Sequence, residues 1–167
     1  HYSTTSAYSL RAKRTSGGAD VLSANVTIAH ETIYNVVGGF KLQDAMSGIV
    51  VQNCIIMSTA ATGNLLNIAA LSIAGLTLRN CVLWMPNNSG NAILWNGTSY
   101  TLAAWMTAVG NALGCINADP LFVDAAAGDF RLQAGSPAKL AGYNSGITTD
   151  FANNARHATT PSIGAYE

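Results

Sequence analysis

Apolar and polar residues alternate over short stretches of this chain, and the same alternation recurs. The clearest copies are GIVVQNCIIM, from Gly48 to Met57, and GLTLRNCVLW, from Gly75 to Trp84. A weaker copy, NVTIAHETIYN, begins at Asn25. A period of two residues is typical of a β-strand. Each copy therefore predicts a strand, a polar break and a second short strand.

The spacing of the copies indicates how these strands are arranged. Asn80 follows Asn53 by 27 residues, and Asn53 follows His30 by 23. Units this short cannot fold alone, so their recurrence indicates a solenoid in which equivalent residues stack about 4.8 Å apart. Parallel crossovers are almost always right-handed. The sequence thus predicts an all-β fold, a right-handed parallel β-helix.

Shorter apolar segments between the copies predict a third strand in each turn of the solenoid; they are Phe40–Leu42, Leu65–Ile68 and Ala92–Trp95. We assign residues 21–100 to the β-helix coils. Residues 1–20 form either an N-terminal arm or the remnant of an earlier coil. An open end exposes backbone groups and core, so we expect missing upstream coils or a partner chain at the N-terminal end.

The polar break predicts a structural ladder at one corner of the coils, formed by His30, Asn53 and Asn80 and, one residue later, by Cys54 and Cys81. Asparagine tolerates the left-handed backbone that a sharp corner needs, and its amide can bond from coil to coil. The two cysteines form either a stack of buried free thiols or a disulfide. Cys115 has no evident partner in the sequence.

One segment has helical periodicity. Apolar residues recur at Leu102, Trp105, Met106 and Val109, which places them on one face of a helix. Ser99 or Thr101 is the expected N-cap, and Gly110 the expected end. We expect this helix to pack on the side or end of the solenoid and to form, with the rest of residues 101–167, a C-terminal capping region of the same domain.

Composition excludes several classes of protein. Charged residues make up 10% of the chain, against about 25% in ordinary soluble proteins, and the net charge is zero. A neutral chain is a poor nucleic-acid binder. Its 49% of apolar residues argues against disorder. No apolar run reaches the roughly 18 residues that a membrane span needs, so none is predicted.

The motifs after the helix carry a resemblance. In order they are ADPLFVD from Ala118, GDFRLQAGSPA from Gly128, AG at Ala141, DF at Asp150 and IGAYE at Ile163. This series, with the two clear repeats, resembles the C-terminal part of right-handed parallel β-helix proteins of the pectate-lyase-like superfamily, most closely the extracellular choice-of-anchor Q type. The resemblance implies an extracellular, cell-surface or virion location and polysaccharide as the partner.

Catalytic chemistry has few candidates. Polysaccharide lyases need a base and often a calcium ion, and glycosidases need two carboxylates. The coil region offers Glu31, Asp44 and Lys41 as candidate catalytic residues, and no two acids share a position in successive coils. No cofactor or metal site is predicted; calcium stays open as a ligand, although the sequence supplies no cluster of several carboxylates to hold it.

Aromatic residues offer a binding surface. Tyr34, Met57 and Trp84 occupy one position of the repeat, and the residue before each faces the other way. Whichever set faces outward needs a cover: the segment Gly142–Glu167, the helix with Trp105, or a partner, as in a homotrimer. Trp84 and Trp95 are the candidate carbohydrate-binding residues, since sugars stack on exposed rings.

Three functions fit these observations. The first is a β-helix portion of an extracellular or virion-associated protein, such as a tailspike, that interacts with surface polysaccharide. The second is a polysaccharide lyase or glycoside hydrolase whose catalytic coils lie upstream or at a subunit interface. The third is a purely structural stalk or cap. Fold does not decide among them.

Overall fold

The computed structural model describes residues 8–10, 13–14, 20–21, 25–36, 39–43, 46–69, 75–88 and 92–167. Most regular structure in these ranges is β-strand. The strands are β1 (Tyr8–Leu10), β2 (Lys13–Arg14), β3 (Asp20–Val21), β4 (Thr27–Ala29), β5 (Thr32–Tyr34), β6 (Phe40–Leu42), β7 (Ile49–Gln52), β8 (Ile55–Met57), β9 (Leu66–Ile68), β10 (Leu76–Arg79), β11 (Val82–Trp84), β12 (Ile93–Trp95), β13 (Thr98–Tyr100), β14 (Ala112–Leu113), β15 (Phe122–Asp124) and β16 (Asp129–Leu132).

Three sheets are built largely from parallel strands. Each repeat contributes one strand to each of these sheets, always in the same order. The four-stranded sheet has the order β14-β10-β7-β4, the three-stranded sheet β11-β8-β5, and the five-stranded sheet β1-β6-β9-β12-β13. The antiparallel pair in these sheets is β12 with β13, joined by the turn Asn96-Gly97. Both turn residues have positive φ, 47° and 79°, as a tight hairpin turn requires.

The register of the parallel strands confirms the alignment of the repeats. Leu76 lies beside Ile49, and Leu78 beside Val51. In the three-stranded sheet, Trp84 lies beside Met57, which lies beside Tyr34. Side chains that share a position in the repeat therefore form rows across each sheet.

The corner between the four-stranded and three-stranded sheets is formed by residues in the left-handed backbone region. His30, Asn53 and Asn80 have φ values of 57°, 52° and 47°. Gly114, after β14, continues the row with φ of 64°, and a Cβ there would lie only 2.9 Å from the Asn80 side chain. Asparagine and glycine occupy this backbone region most readily, which explains why the repeat has a polar break here.

The predicted helix is confirmed as α1 (Leu102–Val109). Thr101 is its N-cap, and the Thr101 side chain accepts a hydrogen bond from the Ala104 N–H at 3.1 Å. Gly110, with φ of 73°, ends it. The spacing of the apolar residues placed Met106 on the buried face of the helix. In the structure, however, Met106 is 43% exposed.

All three sheets contribute to one hydrophobic core, here called the main cluster. Phe40, Ile56, Leu78, Leu83 and Ile93 are among its residues, and each is completely buried. Trp105 from α1 belongs to the same cluster and is also completely buried. Its ring contacts Trp95 edge-on, with the ring centroids 5.6 Å apart. The helix therefore packs against the core formed by the strands.

The opposite face of the three-stranded sheet contacts a second cluster. Alternation places Ile33, Ile56 and Leu83 in the main cluster, whereas Tyr34, Met57 and Trp84 pack in the second. The cover over this second face comes partly from the hairpin β15–β16 and partly from later residues; the covering side chains are Phe122, Phe130, Leu132, Ala138, Ala141 and Ile163. Of the two covers that the sequence offered within the chain, the Gly142–Glu167 segment contributes Ile163, and the helix packs elsewhere.

The C-terminal segment can approach the sheet closely because Gly164 has no side chain. Its φ is 98°, and a Cβ there would lie 2.7 Å from Ile55 Cδ1 and 2.9 Å from Thr32 Oγ1. The next residue, Ala165, donates its N–H to Thr32 Oγ1 at 3.0 Å. Glycine is thus required at a position where two segments 133 residues apart meet.

The three cysteines are free thiols that form one row beside the corner. Cys54 and Cys81 are completely buried, and each thiol lies near backbone carbonyls of its own strand and the adjacent one. Cys115, which the sequence left without a partner, accepts a hydrogen bond from the Cys81 N–H at 3.4 Å. The stack therefore has three members, and no disulfide joins Cys54 to Cys81.

The N-terminal residues are described only at three strands. β1 pairs in parallel with β6, and β2 pairs with β3 in antiparallel fashion. The division at residue 20 stays a prediction. Among the described residues, no helix combines the length and the apolar character that crossing a bilayer requires.

Candidate functional site

Three adjoining grooves lie where the C-terminal segment crosses the corner of the sheets. The first, of about 290 Å³, is lined by Glu31, Thr32, Gly128, Phe130, Phe151, Ala165 and Tyr166. The second shares Tyr166 with it and includes Arg131, Asp150 and Glu167. The third shares Glu31, Phe151 and Ala165 with the first and includes His30 and Arg156. Together these residues form the candidate site.

Aromatic rings line the first groove. Phe151 is 78% exposed, more than any other large apolar side chain that the structure describes. Its ring meets Tyr166 edge-on, with centroids 5.8 Å apart and planes at 72°. Phe130 lies deeper and contacts Phe122 and Tyr34 of the second cluster. An exposed ring supported by a half-buried one offers an apolar face to a ligand.

A network of hydrogen bonds holds Phe151 in place. Asp150 Oδ1 accepts from the N–H groups of Ala152 and Asn154, both at 2.8 Å, and Oδ2 accepts from the Glu167 N–H at 3.1 Å. The Phe151 N–H donates to the Ala165 carbonyl at 2.9 Å. Burial raises the pKa of Asp150, but these hydrogen bonds outweigh it, so the pKa lies below its ordinary value.

Arg156 lies beneath the grooves with almost no exposed surface. Its guanidinium donates to four backbone carbonyls, those of Thr149, Ser162, Gly164 and Ala165. It also forms an ion pair with Glu167, Nη1 to Oε2 at 3.5 Å. Burial lowers the pKa of Arg156, an effect that the nearby negative charges partly offset. The Arg156 guanidinium thus binds only groups of the C-terminal segment among the described residues.

Glu31 differs from the other carboxylates of the site. It follows the corner residue His30, and its backbone carbonyl accepts the Ile55 N–H at 2.8 Å. Its half-buried carboxylate forms neither a hydrogen bond nor an ion pair with any residue in the described ranges. An acceptor beside exposed rings and without a protein partner is suited to a ligand.

His30 forms part of the floor of the third groove. Its Nε2 lies 3.0 Å from Ser145 Oγ and accepts the Asn53 amide at 3.0 Å. Burial, with the positive charge of Arg156, lowers the pKa of His30 to about 4. The imidazole is therefore neutral at physiological pH, and its role here is that of a hydrogen-bond acceptor at the corner.

The remaining ladder residues bind the C-terminal segment. The Asn53 amide contacts Tyr143 and His30, and Asn80 Nδ2 donates to the Ala141 carbonyl at 2.9 Å. Arg79 lies over the Tyr143 ring, 3.7 Å from its centroid. The corner therefore connects the sheets to residues 141–143.

The structure separates the catalytic candidates. Lys41 lies in β6 of the five-stranded sheet and lines none of the three grooves, whereas Glu31 lines two. Asp44 lies outside the described residues. The two tryptophans proposed for carbohydrate also lie apart: half-buried Trp84 packs in the second cluster, and Trp95 packs against Tyr100 and Trp105.

Sequence reasoning missed the aromatic residues of the groove. Phe151 and Tyr166 belong to the DF and IGAYE motifs, which carried the family resemblance but no binding hypothesis. Their pairing could not be read from the sequence, because it depends on the backbone hydrogen bond between Phe151 and Ala165 in the folded chain. The sequence does contain one signal of this pair: each aromatic residue lies in a polar segment that is rich in glycine or asparagine.

No group of three or more His, Cys, Asp or Glu side chains within the described ranges is placed to hold a metal ion. No protein-family model matches the chain, and no curated protein is significantly similar to it in sequence.

Proposed function

We propose that this chain is the β-helix portion of an extracellular or virion-associated protein that interacts with surface polysaccharide. The architecture we propose is a right-handed parallel β-helix of the pectate-lyase-like kind. Its support is the recurrence of three strands per repeat, assigned in turn to the same three sheets, with equivalent residues side by side.

One observation carries the binding function. Phe151, the most exposed large apolar residue of the described chain, meets Tyr166 edge-on in a groove that is also lined by Glu31, whose carboxylate has no partner among the described residues. A ring that presents its face to water, next to a hydrogen-bond acceptor, can stack on the apolar face of a sugar and accept its hydroxyls. We assign the polysaccharide contact to this groove rather than to Trp84 or Trp95.

The composition of the chain supports the proposed location. A chain with 10% charged residues and Ser, Thr, Asn and Gly in its turns suits a protease-resistant surface structure. Extracellular, cell-surface and virion settings all present such proteins to polysaccharide. Assembly as a homotrimer completes the proposal.

Electrophoresis through gels that contain dissolved polysaccharides tests the binding function. We expect retardation by at least one glycan, and we expect Phe151→Ala to abolish it. Leu113→Ala is the matched control, because Leu113 is also an exposed apolar residue, at 65%, and lines none of the grooves. Equal migration of the Phe151→Ala variant and the unaltered protein would contradict the assignment.

The enzymatic alternative has one favourable observation, the Glu31 carboxylate in a groove, for which the described residues supply no partner. The neighbouring carboxylates of Asp150 and Glu167 are occupied by N–H groups and by Arg156. Glycoside hydrolysis needs two free carboxyl groups. Release of reducing ends or of ultraviolet-absorbing unsaturated products, lost in Glu31→Gln, would replace the binding function by catalysis.

A further inference from the structure

The charges around the first groove are unbalanced. Glu31 contributes a carboxylate with no partner in the described part of the chain. The cationic side chains among the lining residues of the three grooves are Arg131 and Arg156. Arg131 forms a bidentate ion pair with Asp129, and the Arg156 side chain is only 2% exposed. The Arg131 side chain is 67% exposed but lines the second groove, so the described residues that line the first groove include no cationic side chain.

The rings add to the negative character of the groove. Phe130, Phe151 and Tyr166 all line it, and Phe151 exposes most of its surface. The face of an aromatic ring carries partial negative charge and attracts cations within about 6 Å of its centroid. A carboxylate and several aromatic rings in one groove are the complement of a positively charged group that also has an apolar surface.

We infer that the groove selects saccharides with a free amine, such as oligomers of a deacetylated hexosamine. This inference rests on the proposed polysaccharide function and names its ligand class. The sugar ring stacks on Phe151, and the ammonium group pairs with Glu31 beside the aromatic faces. Uronic acids are disfavoured, because their carboxylates would approach Glu31 in a groove whose described lining includes no cationic side chain to offset the repulsion.

Titration calorimetry with three oligosaccharide series of equal length tests this selection. The series are glucosamine oligomers with free amines, their N-acetylated counterparts and galacturonic acid oligomers. We expect the free amine to bind about tenfold more tightly than the acetylated sugar, from one charge pair and the ring contacts. No binding of the galacturonic acid oligomers is expected.

Three variants separate the contributions. Glu31→Gln keeps the shape and removes the charge, and we expect it to reduce the affinity for the amine to that for the acetylated sugar. Phe151→Ala should weaken both sugars. Asp119→Asn also removes one negative charge, but Asp119 is exposed and lines none of the three grooves. Its affinities should equal those of the unaltered protein, and the unfolding temperatures of all variants verify that they fold.

The outcomes distinguish this inference from the function on which it rests. If both sugars bind equally, Glu31→Gln changes nothing and Phe151→Ala weakens both, the amine selection is wrong while the groove still binds saccharide. Equal losses in Glu31→Gln and Asp119→Asn would also overturn the selection, since they indicate general charge attraction. If no saccharide in the broad gel screen depends on Phe151, the proposed function fails and the inference with it.

Discussion

The side-chain amide of Asn53 binds both backbone polar groups of Tyr143, which lies 90 residues later in the chain. Nδ2 donates to the Tyr143 carbonyl at 2.6 Å, and Oδ1 accepts the Tyr143 N–H at 2.7 Å. The same Nδ2 lies 3.0 Å from His30 Nε2, and Asn53 is completely buried. One residue of the corner therefore fixes the C-terminal segment against the repeats.

Asn53→Ala should destabilise the protein strongly. The substitution removes both hydrogen bonds from buried Asn53 to the Tyr143 backbone and places alanine at a φ of 52°. Each effect costs free energy, and together we expect the free energy of unfolding to fall by about 3 kcal/mol. Urea denaturation followed by circular dichroism measures it.

Asn153→Ala is the matched control for that change. Asn153 also has a positive φ, 64°, but its side chain is exposed. Only the backbone conformation is penalised, so a loss of about 1 kcal/mol is expected. Equal losses in the two variants would show that the Asn53 hydrogen bonds contribute no net stability.

Gly164→Ala should loosen the segment that carries the candidate groove. The new methyl group would overlap Ile55 and Thr32, and φ at this position is 98°. We expect a loss of about 2–3 kcal/mol and weaker protection of the Ala165 amide in hydrogen exchange. Gly146→Ala provides the comparison: its φ is 79° and nothing lies within 4 Å, so about 1 kcal/mol is expected.

Protonation of His30 should reduce stability in mildly acidic solution. Burial and the charge of Arg156 lower its pKa from 6.5 to about 4, so the folded state favours the neutral ring. The unfolded chain therefore binds more protons between these pH values. The resulting stability is complete above about pH 6.5 and is lost as pH falls towards 4, by at most about 1.4 kcal/mol per pH unit.

His30→Asn tests the source of that pH dependence. Asparagine suits the φ of 57° at this position, as it does at Asn53 and Asn80, and it cannot titrate. The slope of unfolding free energy against pH should flatten between pH 6.5 and 4. Asp150, whose pKa lies below its ordinary 3.8, should still destabilise the protein at lower pH. An unchanged slope in the variant would place the titrating group elsewhere.

The cysteines should differ in reactivity. Burial raises the pKa of the Cys81 thiol, while a hydrogen bond from Cys81 lowers the pKa of half-buried Cys115. A thiolate is the nucleophile, so native alkylation should modify Cys115 first, and Cys115→Ser should remove most native labelling. Mass spectrometry after denaturation should count three modified thiols; a count of one would instead indicate a Cys54–Cys81 disulfide.

Local features of the molecule could be predicted from the sequence. The period-two runs became β7, β8, β10 and β11 in the predicted register. The cap residues Thr101 and Gly110 bounded the helix as expected. These features depend on the conformational preferences of a few neighbouring residues and on the repetition of one pattern, both of which are visible along the chain.

The candidate site could not be predicted in the same way. Sequence reasoning found Glu31 but assigned the sugar contact to Trp84 and Trp95, whose rings pack in the two hydrophobic clusters. The exposed ring, Phe151, lies in a segment without periodicity. Exposure of an aromatic residue depends on what covers it, and local sequence carries little information about that cover.

The sequence by itself thus determined the strands, their register, the left-handed corners and the helix ends, because each follows from short-range sterics and alternation. Only the tertiary structure decided which face of the three-stranded sheet is covered by β15–β16 and that Cys115 joins the cysteine stack. It also decided that Glu31 lines one groove with Phe151 and Tyr166. These arrangements bring together residues up to 135 positions apart, as in Glu31 and Tyr166, which line the same groove. Their formation depends on where the C-terminal segment returns, which is set by the burial and hydrogen bonding of the whole fold.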